Sequence, residues 1–403
     1  MKVKTLTLLI ISVYSVALLS QTLELLPFTI FFLSLIAIKR KANLDKLIVS
    51  LTLPLIYFFP FNLWVDMKLS WYLIPVLLSA LILVLFFKIS EKIIYIFKNY
   101  KKDPLFLSII LSLTWVGLLY LTYKILGTEP TWMFFSYRWF KSNLAQLNIY
   151  SFESIVFFTI SYFSISLTEK TNSEKKRWVH ISLSTILIII LLLSFLKPIK
   201  IEHPQKALLI NLNLDFSYTH RVENQKEILY KYIEAIKNST SKVDFIILPE
   251  YVIVTDWRKE PKIIELFKNT SSELNTPILV GSKEDINTTH FYNVAVIFDK
   301  NKSYSVRDVF PMSLSKNTVK GNRLPTIDLK NNSYAILLCF STTQSRFWKE
   351  IKENPKIDGV LILANEQALH WFLKKDVYYL IRYFEIYSKK PIYKAVNNGI
   401  TYP

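Results

Sequence analysis

The chain is poor in the residues that build several common kinds of functional site. Its 403 residues include a single cysteine, Cys339, which excludes an internal disulfide and any cysteine-based zinc site. It has six glycines, and none of them forms a phosphate-cradling loop. We therefore predict no metal and no cofactor. Acidic residues are also few, 31 against 49 lysines and arginines, so the net charge is +18. A basic stripe with a recognition helix is missing, so we predict no nucleic-acid partner.

Long apolar runs and the basic excess together indicate a membrane protein in the first half of the chain. Apolar residues make up 51% of the sequence, and the first 198 residues contain repeated runs near the length of about 20 residues that crosses a bilayer. Pro27 breaks the first two runs, and Pro54, Pro60 and Pro75 should kink the next two. We predict seven transmembrane helices, near residues 5–20, 23–38, 46–65, 68–88, 104–126, 149–168 and 178–197.

The connecting segments predict the orientation of these spans. Alternate loops are rich in lysine and arginine, for example Lys39–Lys41 and Lys175–Arg177, whereas the turn around Asp66 and the loop 127–148 are not. Basic loops face the cytoplasm. Seven spans then place the rest of the chain on the other side, which is the periplasm if the membrane is a bacterial inner membrane. Aromatic residues in 131–140 suit the membrane interface.

Residues 199–403 have a different pattern, in which short apolar strands alternate with amphipathic helices. The segment 221–238 has helical spacing of its apolar residues, and 206–214, 243–250, 333–340 and 359–366 have the character of strands. Such alternation predicts an α/β or layered domain.

Three positions in this half could carry chemistry. Glu250 directly follows an apolar strand and a proline, where it is either a general base or a plain solvated carboxylate. Cys339 ends another apolar strand and is either a nucleophile or a buried core cysteine. The segment 303–316 contains Arg307, which is either a cation for a developing oxyanion or an ordinary surface charge.

The order of these residues resembles the nitrilase superfamily, and with the preceding spans it resembles the bacterial apolipoprotein N-acyltransferases. "IILPEYVI" is similar to the family's Trp-Pro-Glu segment, with Leu248 for Trp. "LILANEQALHWF" is similar to its Asn-Asp segment through Asn365, Glu366 and Trp371. "PIYKAVNNGIT" is similar to its Pro…Arg-x-x-Asn-x-Gly-Ile block. The resemblance covers essentially the whole chain and implies an α-helical membrane bundle (1–198) followed by an α-β-β-α sandwich domain (199–403).

The resemblance also implies an activity. The family transfers a fatty acyl chain from a membrane phospholipid, through a cysteine thioester, to the N-terminal amine of a diacylglyceryl-modified apolipoprotein. Carried onto this sequence, the catalytic residues are Glu250, Arg307 and Cys339, and the substrate-binding residues are Trp257, Asn365 and Trp371. We expect a monomer.

Departures from the family pattern leave two alternatives open. The family's catalytic lysine corresponds to Val306, with Arg307 beside it, and the acid two residues after the thiol is replaced by Ser341. The family also continues beyond the last residues of this chain, so the domain is expected to be short at its C-terminus. The alternatives are a catalytically weakened or inactive relative, and a membrane-bound amidase that hydrolyses carbon–nitrogen bonds.

Overall fold

The computed structural model describes residues 69–97, 103–126, 143–168, 173–193 and 199–402, except for positions 215, 220, 240–241, 309–316, 322, 367–370 and 398. The polypeptide divides into two compact units, Met1–Ile199 and Lys200–Pro403. The first three predicted spans, the aromatic segment 131–140 and most of the loop after Arg307 lie outside the described residues.

The described part of the first unit is helical. Its long helices are α1 (Leu69–Ile96), α2 (Pro104–Leu126), α3 (Ile149–Thr168) and α4 (Glu174–Leu193). They overlap the last four predicted spans. Asp103 starts α2, because its carboxylate accepts the backbone N–H of Leu105 at 2.9 Å, as an N-cap side chain does.

Length and composition single out one of these helices as a candidate span. Among the described residues, Pro104–Ile125 is the one helix long and apolar enough to cross a bilayer, with 22 residues and a mean hydropathy of 2.1. A shorter apolar helix covers Ile149–Phe163. The predicted seven-helix bundle stays a prediction.

The second unit contains two β-sheets. The first sheet has the order β1 (Ala207–Leu209), β2 (Phe245–Ile247), β3 (Ile278–Asp285), β4 (Phe291–Asp299) and β5 (Lys302–Arg307). The second has the order β6 (Thr326–Leu329), β7 (Asn332–Leu338), β8 (Gly359–Asn365) and β9 (Ile392–Asn397). β1, β2 and β3 are parallel, as are β7, β8 and β9, and the remaining pairs are antiparallel.

The alternation of side chains along each strand generates the layers. In β2, Phe245 and Ile247 pack in a buried cluster with Ile336 and Leu338 of β7, so these faces of the two sheets meet. The intervening Ile246 belongs to a second cluster. This cluster joins the outer face of the first sheet to the helices α5 (Gln225–Lys237) and α6 (Pro261–Leu274).

Two further helices, α7 (Ser345–Glu353) and α8 (Trp371–Ser388), follow β7 and β8. They pack together through Trp348 and Phe384, whose rings stack at 4.8 Å. The order helix, sheet, sheet, helix confirms the predicted α-β-β-α sandwich for the second unit. Each parallel strand pair is joined through a helical connection, as parallel pairing requires.

Trp348 ties α7 to the turn that follows β7. The side chain is fully buried, and its Nε1–H donates to the carbonyl of Thr342 at 2.7 Å. We expect Trp348→Ala to lower the free energy of unfolding of the second unit by about 3–5 kcal/mol, the usual cost of emptying a large aromatic site.

Cys339 provides the measurement, because it is the only thiol in the chain. Pulsed maleimide labelling at increasing denaturant concentration reports unfolding of the second unit alone. Lys349→Ala is the matched control, since this lysine is exposed and pairs with Glu353 on the same helix; its change should stay within about 0.5 kcal/mol. Equal midpoints for the two variants would contradict the assigned packing.

Candidate active site

Glu250 and Cys339 come together at the carboxyl ends of strands from the two different sheets. Glu250 follows β2, and Cys339 directly follows β7. Because the inner faces of the sheets pack against each other, the two strand ends lie side by side. The Cys339 thiol donates a hydrogen bond to the Glu250 carboxylate. The structure therefore brings these two sequence-predicted residues together.

The backbone at both positions is unusual. Cys339 has φ of +39°, and Tyr251, next to Glu250, has φ of +58°. Non-glycine residues in this left-handed region carry a conformational cost that is most common at functional sites. Glu250 also needs Gly281 as its neighbour on β3, since a Cβ at position 281 would lie 2.4 Å from the Glu250 Cα. Glycine at position 281 therefore allows β3 to approach the backbone of Glu250 closely.

Two asparagines hold the acid and the thiol. Asn293 of β4 donates its side-chain N–H to Glu250 Oε1 at 2.7 Å. The backbone N–H of Asn365, at the end of β8, donates to both the Glu250 carboxylate and the Cys339 sulfur. Asn365 is the predicted substrate-binding asparagine, and its backbone is what reaches the site. Asn293 was missed by the sequence analysis, although its strand parity with Ala295 and Ile297 marks it as facing the second sheet.

Burial sets the protonation of the pair. Glu250 is 5% exposed, and this desolvation raises its pKa to about 7, although hydrogen bonds from Cys339 and Asn293 act in the opposite direction. Burial, followed by the adjacent charge of Glu250, raises the pKa of the Cys339 thiol well above its usual value. Both shifts therefore favour the protonated forms of the thiol and of the carboxyl group.

Two more buried acids surround this pair. Asp308, just after β5, accepts a hydrogen bond from the Ser341 hydroxyl, and its charge helps to raise the pKa of Glu250. Glu366 forms a buried ion pair with Lys394 of β9 and raises the pKa of Cys339. The buried charge of Lys394 is balanced by this pair.

Arg307 lies elsewhere, and strand alternation gives the reason. Val306 packs toward the core between the two sheets, so the next residue points to the opposite face of β5. There the Arg307 guanidinium lies 4.0 Å from the centre of the Tyr292 ring and 3.4 Å from Glu284 Oε2. A shift of one residue along a strand moves a side chain to the other face, so Arg307 does not take the place of a lysine at position 306.

The predicted substrate-binding tryptophans differ in position. Trp257 is buried in the cluster beneath α5 and α6, and its Nε1–H donates to Glu284 at 3.2 Å. It therefore belongs to the environment of Arg307, not to that of the thiol. Trp371 begins α8, and its side chain lies outside the described residues.

No metal site is found in the described part of the chain: it contains no group of three or more His, Cys, Asp or Glu side chains arranged to hold an ion. The site that the structure assembles consists of one thiol, three carboxyl groups and two asparagines. A thiol hydrogen bonded to a carboxylate whose pKa lies near 7 is equipped for nucleophilic attack with general-base assistance.

The raised pKa of Glu250 makes stability depend on pH. A carboxyl group with an ordinary pKa of 4.5 in the unfolded chain and about 7 in the folded one binds its proton more tightly when folded. Its contribution to stability is thus complete below pH 4.5 and is lost as the pH rises through 7. The shift between the unfolded and the folded pKa corresponds to about 3 kcal/mol of unfolding free energy.

Glu250→Gln removes this titration, so we expect the variant to gain stability over the wild type between pH 5 and 8, with little further gain above that. The denaturant midpoint at each pH, followed by hydrogen exchange of peptides from β2, measures the difference. Glu353→Gln, at an exposed position, is the control and should follow the wild type. A pH-independent difference for Glu250→Gln would rule out a buried carboxyl group that titrates near 7.

Comparisons with known proteins gave structural neighbours only. No family model matches the chain, and no curated protein matches it. Among solved structures, a CN-hydrolase superfamily protein from Xanthomonas campestris with an arsenic adduct in its active site is 13% identical, with 50% of this chain and 80% of that one covered and a TM-score of 0.38. A carbon-nitrogen hydrolase from Helicobacter pylori is 9% identical over 48% of this chain and 73% of that one, with a TM-score of 0.40.

An N-terminal amidase is 16% identical, and the match covers 40% of this chain with a TM-score of 0.32. The chain spans about half the length of that protein (47%). Because these TM-scores are low, the neighbours carry no argument about this chain. The α-β-β-α sandwich is assigned from the strand registers alone.

Proposed function

We propose that the second unit is a cysteine acyltransferase whose nucleophile is Cys339 and whose general base is Glu250. The observation that carries the proposal is the hydrogen bond between the two groups, together with the pKa of about 7 of the acid. A base with this pKa can accept a proton and return it at neutral pH without a large cost in either step.

The proposed reaction has two stages. In the first, the Cys339 sulfur attacks an ester carbonyl carbon while its proton passes to Glu250. The carbon–oxygen bond then breaks, the leaving alcohol oxygen takes the proton from Glu250, and the acyl group remains as a thioester on Cys339. In the second, an amine attacks the thioester carbonyl, its proton passes to Glu250, and the released sulfur recovers a proton from that residue. The acid is ionised again at the end of each stage.

The finer proposal is that the acyl donor is a membrane phospholipid and the acceptor is the N-terminal amine of a diacylglyceryl-modified lipoprotein, at the periplasmic face of a bacterial inner membrane. The family resemblance supports the substrates. The surface of the helical unit supports the lipid environment, because large apolar side chains of α2 and α4 point outward. Leu113, Ile125, Trp178 and Ile190 are each more than half exposed. Such surfaces are stable in contact with lipid chains.

Loss of the thiol should abolish the covalent intermediate. We expect full-length protein incubated with phospholipid to gain the mass of one acyl chain, and Cys339→Ala to gain none. Glu250→Gln should slow adduct formation by about 10²–10⁴-fold, the usual contribution of a general base. Intact mass spectrometry, with hydroxylamine to release a thioester, provides the measurement.

Arg307→Ala is the matched control for this experiment. Since the Arg307 side chain contacts Glu284 and Tyr292, its removal should change the adduct rate far less than the loss of Glu250. A loss as large as that of Glu250→Gln would contradict the assignment of these roles. If the acyl group on Cys339 is instead lost by hydrolysis and an added diacylglyceryl peptide stays unmodified, the result would favour an amidase or other hydrolase.

One observation favours a second candidate, a weakened or inactive relative. Burial, Glu250 and Glu366 raise the pKa of Cys339, and the Asn365 N–H lowers it. Both acids therefore oppose formation of the thiolate. A low fraction of thiolate lowers the reactivity of a cysteine. Failure of the wild type to form an adduct, under conditions where an active relative forms one, would support this candidate over the enzyme.

A further inference from the structure

A buried ion pair lies in the second sheet, between β9 and the end of β8. The Lys394 ammonium pairs with Glu366 Oε1, and the two side chains are only 1% and 3% exposed. Taking two charges out of water is costly, and apolar residues of similar size are often at least as stable in such a place. Stability alone therefore does not account for the pair.

The backbone holds Glu366 next to the contacts of the thiol. Leu338, the residue before Cys339, pairs with Leu363 of β8, so β7 and β8 end side by side. Asn365 is the last residue of β8, and its N–H donates to the Cys339 sulfur. Glu366 is the next residue along the chain. Its charge is therefore one residue away from a direct contact of the sulfur.

The backbone of Lys394 is fixed by a second segment of the chain. Its N–H donates to the Tyr402 carbonyl at 2.7 Å, and its carbonyl accepts the Tyr402 N–H at 3.1 Å. The neighbouring residues Tyr393 and Ala395 pack between the two sheets, so the Lys394 side chain lies on the other face of β9. Lys394 therefore meets Glu366 on the face of the second sheet that is turned away from the first.

The Glu366 carboxylate depends on this lysine for its balance of charge. Oε1 pairs with Lys394, whereas Oε2 has no hydrogen-bond partner in the part of the chain that the structure describes. Lys374 of α8, whose pKa burial lowers, also interacts with the charge of Glu366. An ion pair exerts a weaker field at a distance than a single charge does, because its two contributions oppose each other.

We infer that Lys394 is a positioning residue for the proposed acyl transfer, which cancels the negative charge of Glu366 beside Cys339 and so keeps that charge from opposing the thiolate. The inference rests on the proposed function for the role of Cys339 as the nucleophile. The thiolate is the reactive form of a cysteine, and an unbalanced negative charge nearby disfavours it.

The other acids of the site make this compensation matter. Glu250 accepts the hydrogen bond of the thiol, and its charge raises the pKa of Cys339. Asp308, which follows β5, acts on Glu250 in the same direction. Without Lys394, the charge of Glu366 would add to these two acids.

The test follows alkylation of Cys339 by iodoacetamide in the full-length protein in detergent. Cys339 is the one thiol of the chain and is partly exposed, so intact mass spectrometry reports its reaction alone. The rate is measured from about pH 6 to pH 9.5 for the wild type, Glu366→Gln, Lys394→Met and the double variant.

We expect the two single variants to shift the pH profile of alkylation in opposite directions. Glu366→Gln leaves the lysine charge unbalanced, so the profile should move to lower pH and the rate at pH 7 should rise by about tenfold. Lys394→Met leaves the carboxylate unbalanced, so the profile should move to higher pH and the rate at pH 9 should fall by about tenfold. A loss of packing alone would move both profiles in the same direction.

Two further variants separate charge from structure. The double variant carries neither charge and should lie near the wild type, and Lys394→Arg keeps the charge and should restore the wild-type profile. If Lys394→Met does not fold, the shift from Glu366→Gln to the double variant measures the effect of the lysine charge by itself. The matched control combines Glu227→Gln with Lys231→Met, which removes an exposed ion pair of α5 and should leave the profile unchanged.

Shifts of the two single variants in the same direction would overturn the inference, and so would a Glu366→Gln profile equal to that of the wild type. Iodoacetamide needs no acyl donor, so the result is independent of the acyl adduct. Opposite shifts in a protein that forms no adduct would count against the proposed function alone. An adduct on a protein whose profiles do not shift would count against the role of Lys394 alone.

Discussion

The packing of one β-sheet on the other is the constraint on which the rest of the second unit depends. Buried side chains of β2 and β7, among them Ile247 and Leu338, lie in a single cluster between the sheets. Since strands that pack face to face bring their ends together, Glu250 and Cys339 meet although 89 positions separate them in the sequence. Helices pack on the outer faces of the sheets, and α7 and α8 contact each other through Trp348 and Phe384.

The same packing creates the electrostatics of the site. A glutamate at a strand end in water would be ionised, but the covering sheet removes water from Glu250 and raises its pKa to about 7. The surrounding acids Asp308 and Glu366 are tolerated because each has a partner, the Ser341 hydroxyl in one case and Lys394 in the other. The outcome is a base suited to neutral pH beside a thiol that rests in its neutral form.

Strand alternation divides β5 between two chemical environments. Val306 packs toward the core between the sheets and Asp308 accepts the Ser341 hydroxyl, whereas Arg307 stacks on Tyr292 and contacts Glu284. The one-residue difference in parity therefore separates the Arg307 side chain from the face of the strand on which Val306 packs.

The sequence by itself determined that the chain has two unlike halves and that the second is an α/β or layered domain, because these follow from apolar periodicity. The α-β-β-α arrangement and the pairing of Glu250 with Cys339 were implied by the family resemblance. Sequence patterns of this kind also located Asn365 at the end of its strand. Only the tertiary structure decided which face Arg307 occupies, that Trp257 supports Glu284 and that Asn293 and Asp308 join the site. Strand parity could indicate the face on which Asn293 or Arg307 lies, but their partners depend on contacts between distant segments, which no local pattern in a single sequence encodes.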